Sequence, residues 1–130
     1  MKKFLHFAGF LLTTAVLVSF TFIEPIDEVM AALRSGNANA LSKYFDNTVE
    51  ISLPDRSNAY SKTQAEVVMK DFFQTKTVRT FDKDYMSNNG NSIFCIGTLS
   101  TKSGNYRTTI HMKTRADRQL LQEIRIEDKR

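Results

Sequence analysis

The sequence predicts an α+β fold, and three observations carry that expectation. Helical periodicity is confined to residues 25–76, interrupted by one early strand pattern. From residue 77 onward the chain alternates between apolar and polar residues. Short turn signals, not crossover-length connections, separate those alternating stretches, which makes neighbouring strands antiparallel.

Pro25 opens the first helix, because its missing N–H would lack a partner at that position anyway. Ile26, Val29, Met30 and Leu33 then form one apolar helical side. Gly36 suits the left-handed residue that ends a helix, and Asn37 can cap the next. In that short second helix Ala38, Leu41, Tyr44 and Phe45 share a side. Asp46–Asn47 reads as the turn that ends it. Val49, Ile51 and Leu53 alternate with Glu50 and Ser52, which predicts a half-buried strand stopped by Pro54. "DRSNAY", residues 55–60, reads as a polar loop. The clearest helix covers residues 61–75, with Ala65, Val68, Met69, Phe72 and Phe73 on one side. Two capping boxes compete for its start, Ser61 with Gln64 and Thr63 with Glu66. The strands "TVRTFDKDYMS", "SIFCIGTLST", "YRTTIHMKTR" and "LLQEIRIED" follow, joined at "NNGN", "KSGN" and "ADRQ".

The chain has 130 residues, 42% hydrophobic and 25% charged, which suits one ordered domain rather than a disordered segment. That domain is expected over residues 23–130. Residues 1–22 have the layout of a signal peptide, two lysines followed by an apolar run. No Ala-x-Ala marks a cleavage site, and Ser19 and Thr21 are the best small residues, so an uncleaved anchor is the alternative. Either way the domain is expected outside the cytoplasm, periplasmic or secreted. No cysteine follows the apolar run, which argues against a lipoprotein. Without Lys2 and Lys3 the chain holds 16 basic and 14 acidic residues, intermixed, so no nucleic-acid footprint is expected. The single cysteine, Cys95, excludes an intramolecular disulfide and lies in an apolar run, as an inert buried thiol would. Two histidines, one in the leader, give no metal set, and Asp82 and Asp84 lack calcium-loop spacing. No cofactor is expected.

Alternation also assigns faces. Thr108, Ile110 and Met112 share one face of their strand; Arg107, Thr109, His111 and Lys113 share the other. In the last strand Leu120, Ile124 and Ile126 are expected inward, with Leu121, Glu123, Arg125 and Glu127 outward. "SIFCIG" differs, with Ile93 and Cys95 on one side and Phe94 and Ile96 on the other. Apolar residues on both faces predict burial on both, which a single-layer sheet achieves by meeting a second copy. Arg107, His111 and Arg125 are the candidates for that dimer face.

The order of elements, with "GNANALSKYFDNTVEI" at the helix-to-strand elbow, resembles the nuclear transport factor 2-like superfamily, shared with ketosteroid isomerases, scytalone dehydratase and SnoaL-type cyclases. "LPD…YSKTQAEVVMKDFF…IGTLSTKSGNYRTTIHMK" is similar to a small family of exported Bacteroidota proteins without an assigned activity. The likeness covers residues 26–128. It implies a cone: a curved antiparallel sheet wrapped around the N-terminal helices, with a pocket inside. The superfamily's enzymes place a carboxylate or a His–Asp pair there, and no residue here matches. Glu50, Glu123 and Glu127 fall on the polar side, Asp71 lies off its helix's apolar side, and His111 faces outward. Tyr44, Tyr60, Phe72 and Tyr85 are the candidates to line the cone. The expected function is that of an exported non-catalytic domain, a homodimer that binds a small apolar or amphipathic ligand or a protein. The alternatives are an isomerase- or dehydratase-type enzyme and a structural subunit of an envelope assembly.

Overall fold

The computed structural model describes residues 23–129; the expected leader lies outside them. The chain runs α1 (Pro25–Ser35), α2 (Ala38–Ser42), β1 (Phe45–Leu53), β2 (Arg56–Ser61), α3 (Lys62–Lys76), β3 (Val78–Asn88), β4 (Ser92–Thr101), β5 (Gly104–Arg115) and β6 (Arg118–Asp128). Its six strands form one curved, unclosed sheet in the order β2-β1-β6-β5-β4-β3. All neighbours are antiparallel except β1 and β6. That parallel contact joins the two ends of the domain: the early hairpin β1–β2 completes the sheet that the late meander begins. The helices cover one face, so the fold is α+β with a core between them and the sheet.

The helix ends follow local chemistry. Pro25 stands in the first turn of α1, and Gly36 closes the helix at φ 61°, where its N–H and that of Asn37 bond the Leu33 and Ala32 carbonyls. The Asn37 side chain then accepts the Ala40 N–H at 3.0 Å and starts α2. Of the two competing boxes at α3, Ser61 with Gln64 forms: Gln64 N–H donates to Ser61 Oγ at 3.3 Å, and Ser61 N–H donates to Gln64 Oε1 at 3.4 Å.

Three expectations are corrected. Asp46–Asn47 is not a turn; α2 stops at Ser42 and β1 begins at Phe45, held to β6 by the Leu121 N–H donating to the Tyr44 carbonyl at 2.6 Å. "DRSNAY" is not a loop; from Arg56 it is β2, paired with β1 from Leu53↔Arg56 to Thr48↔Ser61. An edge strand with only Tyr60 half-buried leaves no alternation to read. Last, Leu121, not Leu120, is buried. The register slips between His111↔Glu123 and Met112↔Leu121, so Gln122 bulges and the side chains before it change face.

Phe81, Ile26, Leu33, Leu41, Met69, Leu99, Ile110 and Met112 are among the largest fully buried side chains. Phe81 of β3 lies over Gly97 of β4, where an added Cβ would stand 2.4 Å from its Cζ. The missing side chain at Gly97 is what admits the ring. At the same strand, Arg34 Nε from α1 donates to the Phe81 carbonyl at 3.2 Å.

Candidate functional site

The interior of the cone is built from apolar side chains. Inward from the sheet point Val49, Ile51, Phe81, Ile93, Cys95, Leu99, Ile110, Met112, Leu121 and Ile124, and from the helices Val29, Leu33, Leu41 and Met69, all at most 2% exposed. The polar atoms among them are few. The Cys95 thiol contacts the Met30 sulfur at 3.9 Å, and burial pushes its pKa up, which keeps it protonated and unreactive. Thr108, fully buried and the register partner of Gly97, has a hydroxyl without a hydrogen-bond partner. Neither group is a proton-transfer pair.

The buried carboxylate of this fold is Asp46, and sequence reasoning missed it. It accepts the Asn47 N–H at 2.7 Å and the Gln122 amide at 2.7 Å, and pairs with Arg115 at 3.1 Å. The Gln122 bond, more than the Asn47 N–H and the Arg115 charge, holds its carboxyl below the ordinary range, against the opposing pull of burial. Ionised and held by three partners, it ties β1 to β5 and β6 at the bulges. Its side-chain partners, Arg115 and Gln122, lie about seventy residues downstream, so nothing local to "DN" announces them.

The four candidate pocket residues do not converge. Tyr44 is half-buried beside a hollow of about 560 Å3 that also borders Lys43, Arg118, Gln119 and Leu120. Tyr60 borders a groove of about 400 Å3 with Val67 and Val68, between β2 and α3. Phe72 is buried and packs edge-on against Tyr106 at 5.7 Å, next to a hollow of about 200 Å3 at the β1–β2 turn. Tyr85 is 58% exposed on the outer sheet face. That dispersal is a correction to a shared lining.

Arg107, His111 and Arg125 do share one face, the outer one. His111 stacks on Phe94 of the next strand at 4.1 Å with the rings 4° apart, and its Nε2 is shielded with no hydrogen-bond partner. Arg125 bonds Glu123 at 3.1 Å. Phe94 is 43% exposed and stands in register with Ser87 and His111, while Tyr85 stands in register with Ile96. The outer face therefore has an apolar patch of Tyr85, Phe94, Ile96 and His111 on β3–β5, beside Asp82 and Asp84 near Thr98, and a charged region on β5, β6 and β1. Among the described residues no group of His, Cys, Asp and Glu could hold a metal ion.

The family described as "Domain of unknown function (DUF4783)" matches residues 26–127. The chain belongs to the DUF4783 family. A crystallised family protein from Bacteroides ovatus is 31% identical with a TM-score of 0.76, covering 79% of this chain and 94% of its own. One from Bacteroides uniformis is 28% identical with a TM-score of 0.78, covering 80% of this chain and 96% of its own. A designed protein with a curved β-sheet, 9% identical with a TM-score of 0.66, covers 78% of this chain and 94% of its own and shares the fold. Designed nuclear transport factor 2-like proteins match as well, so this DUF4783 domain has that superfamily's cone. No curated protein matches the chain.

Proposed function

We propose that this DUF4783 protein is an exported, non-catalytic recognition module: its cone is a filled scaffold and its working surface is the exterior. The observation that carries this reading is the burial of Phe81, Met69, Leu99, Ile110 and Met112, which leave no solvent-accessible surface between the sheet and the helices. An enzyme needs an ionisable group held in the cone with a shifted pKa. The buried carboxylate, Asp46, is already committed to three partners at the β1–β6 bulge. Export rests on the basic and apolar leader, residues 1–22.

A second reading has one observation in its favour. The shielded Gln119 amide oxygen has no partner, and Gln119 borders the hollow beside Tyr44, so an amphipathic ligand with a donor group suits that end of the cone. One experiment separates the two. The full chain is expressed in a Bacteroides host, fractionated, and its envelope and extracellular pools are examined by native mass spectrometry. The filled-scaffold reading expects the chain outside the cytoplasm with no stoichiometric small-molecule adduct. An apolar adduct overturns it in favour of the ligand reading, and recovery from the cytoplasm overturns export.

A further inference from the structure

We infer that the free edge of β2, with the groove between β2 and α3, takes up an extended segment of another polypeptide as an added strand carrying aliphatic side chains at alternate positions. This inference names the partner of the exterior surface and rests on the exterior being the working surface.

The two edges of the sheet are built differently. β3 is guarded: Arg79, Asp82, Lys83 and Asp84 stand exposed along it, and its register with β4 slips between Lys83 and Tyr85. Charge and a bulge are devices that keep a foreign strand from pairing. β2 has neither. From Ser57 to Ser61 it carries no charge and no proline, and it pairs with β1 without a slip from Leu53↔Arg56 to Thr48↔Ser61. Among the described residues no strand lies on its other side.

The backbone groups of that edge are set for a partner strand. Ser61 N–H donates to Gln64 Oε1 at 3.4 Å, and Ala59 N–H donates to the side chain of its own neighbour, Asn58 Oδ1, at 2.8 Å. Both therefore turn away from β1, and by the alternation of an antiparallel ladder Ser57 turns the same way. The Asn58 amide oxygen holds the place at which the carbonyl of an added strand would accept. Donors and acceptors at this spacing are met in register by an extended peptide backbone, which makes polypeptide the occupant.

The groove selects the side chains. Val49 and Ile51 of β1 are buried under the helices, so their register partners Tyr60 and Asn58 also stand on the α3 side of the sheet. Next to them Val67 of α3 is 63% exposed, and with Tyr60 and Val68 it lines the groove of about 400 Å3. A strand added to β2 carries the inner face of the sheet over this groove, so every second side chain points toward Val67. The six residues of β2, at about 3.3 Å each, give room for a segment of about six residues. The β2 edge of a second copy would bring Arg56 and Asn58 to the groove instead of aliphatic groups, so it is the poorer occupant.

The test uses residues 23–130. Their core closes within residues 26–126, and the crystallised relatives consist almost wholly of the matched domain, so the unit folds by itself. A display library of random heptapeptides is selected against this unit, and enriched sequences are synthesised and titrated by calorimetry. Enriched peptides should alternate aliphatic with polar residues. Ala59→Pro removes an N–H that lies outside the β1 ladder, so circular dichroism should be unchanged while affinity falls about tenfold or more. Val67→Asp should weaken binding to a similar degree, and Lys83→Ser, on the other edge, should leave it unchanged. N-methylation of one alternate set of peptide amides should abolish binding and of the other set should not, a pattern that side chains filling a groove would not produce. The absence of any enriched sequence overturns the proposal, as does a peptide indifferent to Ala59→Pro or to both methylated sets. A self-association of the unit that Ala59→Pro dissolves also overturns it, because a second copy then holds the edge. The filled-scaffold reading is judged by cell fraction and bound adducts and this one by peptide affinity, so either can fail without the other.

Discussion

Removing the Phe81 ring is the sharpest probe of the filled cone. Phe81 is fully buried, lies across Gly97 and stands in register with Leu99, so its atoms touch protein on every side. Phe81→Ala strips the ring and leaves a cavity that rigid strands cannot close. Such truncations lower stability by roughly 3–5 kcal/mol, against a total of about 5–15 kcal/mol for a domain of this kind. Gly97→Ala attacks the same contact from the other side: its Cβ would stand 2.4 Å from Phe81 Cζ and 2.6 Å from the Asp82 carbonyl oxygen. Overpacking of that severity lowers stability by about 1–3 kcal/mol or more, because a backbone atom is one of the obstacles. The double variant tests whether the two positions share one space. With the ring gone two of the three nearest obstacles are removed, so Gly97→Ala should be milder in the Phe81→Ala background by about 1 kcal/mol or more. Urea denaturation of residues 23–130, followed by circular dichroism with the m-value checked, measures all four proteins. Strict additivity, or a loss under about 1 kcal/mol for Phe81→Ala, would refute the packing argument and reopen the cone to a ligand.

Asp46→Asn should lower stability by about 1–3 kcal/mol near pH 7, since it removes the charge that Arg115 and the Gln122 amide meet. Its folded pKa is depressed, so the stabilisation is full above the ordinary carboxylate range and is lost as pH falls through the folded value; urea midpoints of wild type and variant should converge in acid. Ser61→Ala should cost about 1 kcal/mol and Thr63→Ala almost nothing, which thermal melts can separate, because only the Ser61 box forms. Cys95 should resist Ellman's reagent in the native protein and react promptly in urea, since burial both shields the thiol and raises its pKa.

How far the sequence could be read depended on the range of the interactions involved. Gly36, Asn37 and Ser61 act within four residues of themselves, and their roles as stop, cap and box were legible in the chain. So were α3 and the inward sets of β4 and β5, where period matches burial. β2 was not legible, because an edge strand exposed on both faces carries no alternation. The outward position of His111 was legible, but its stack on Phe94 needed the β4–β5 register. Asp46 was misread as a turn because its bonding partners come from β5 and β6.

The sequence by itself determined the helices, the meander and the order that makes the domain α+β, since hydrophobic period, caps and turns are local signals. Tertiary structure alone decided the parallel seam between β1 and β6, the Gln122 bulge that buries Leu121 in place of Leu120, and the scattering of Tyr44, Tyr60, Phe72 and Tyr85. It also decided that Phe81 fills the space Gly97 leaves. Each of these is a match between residues distant in the chain, and alternation within one strand carries no information about its partner's register.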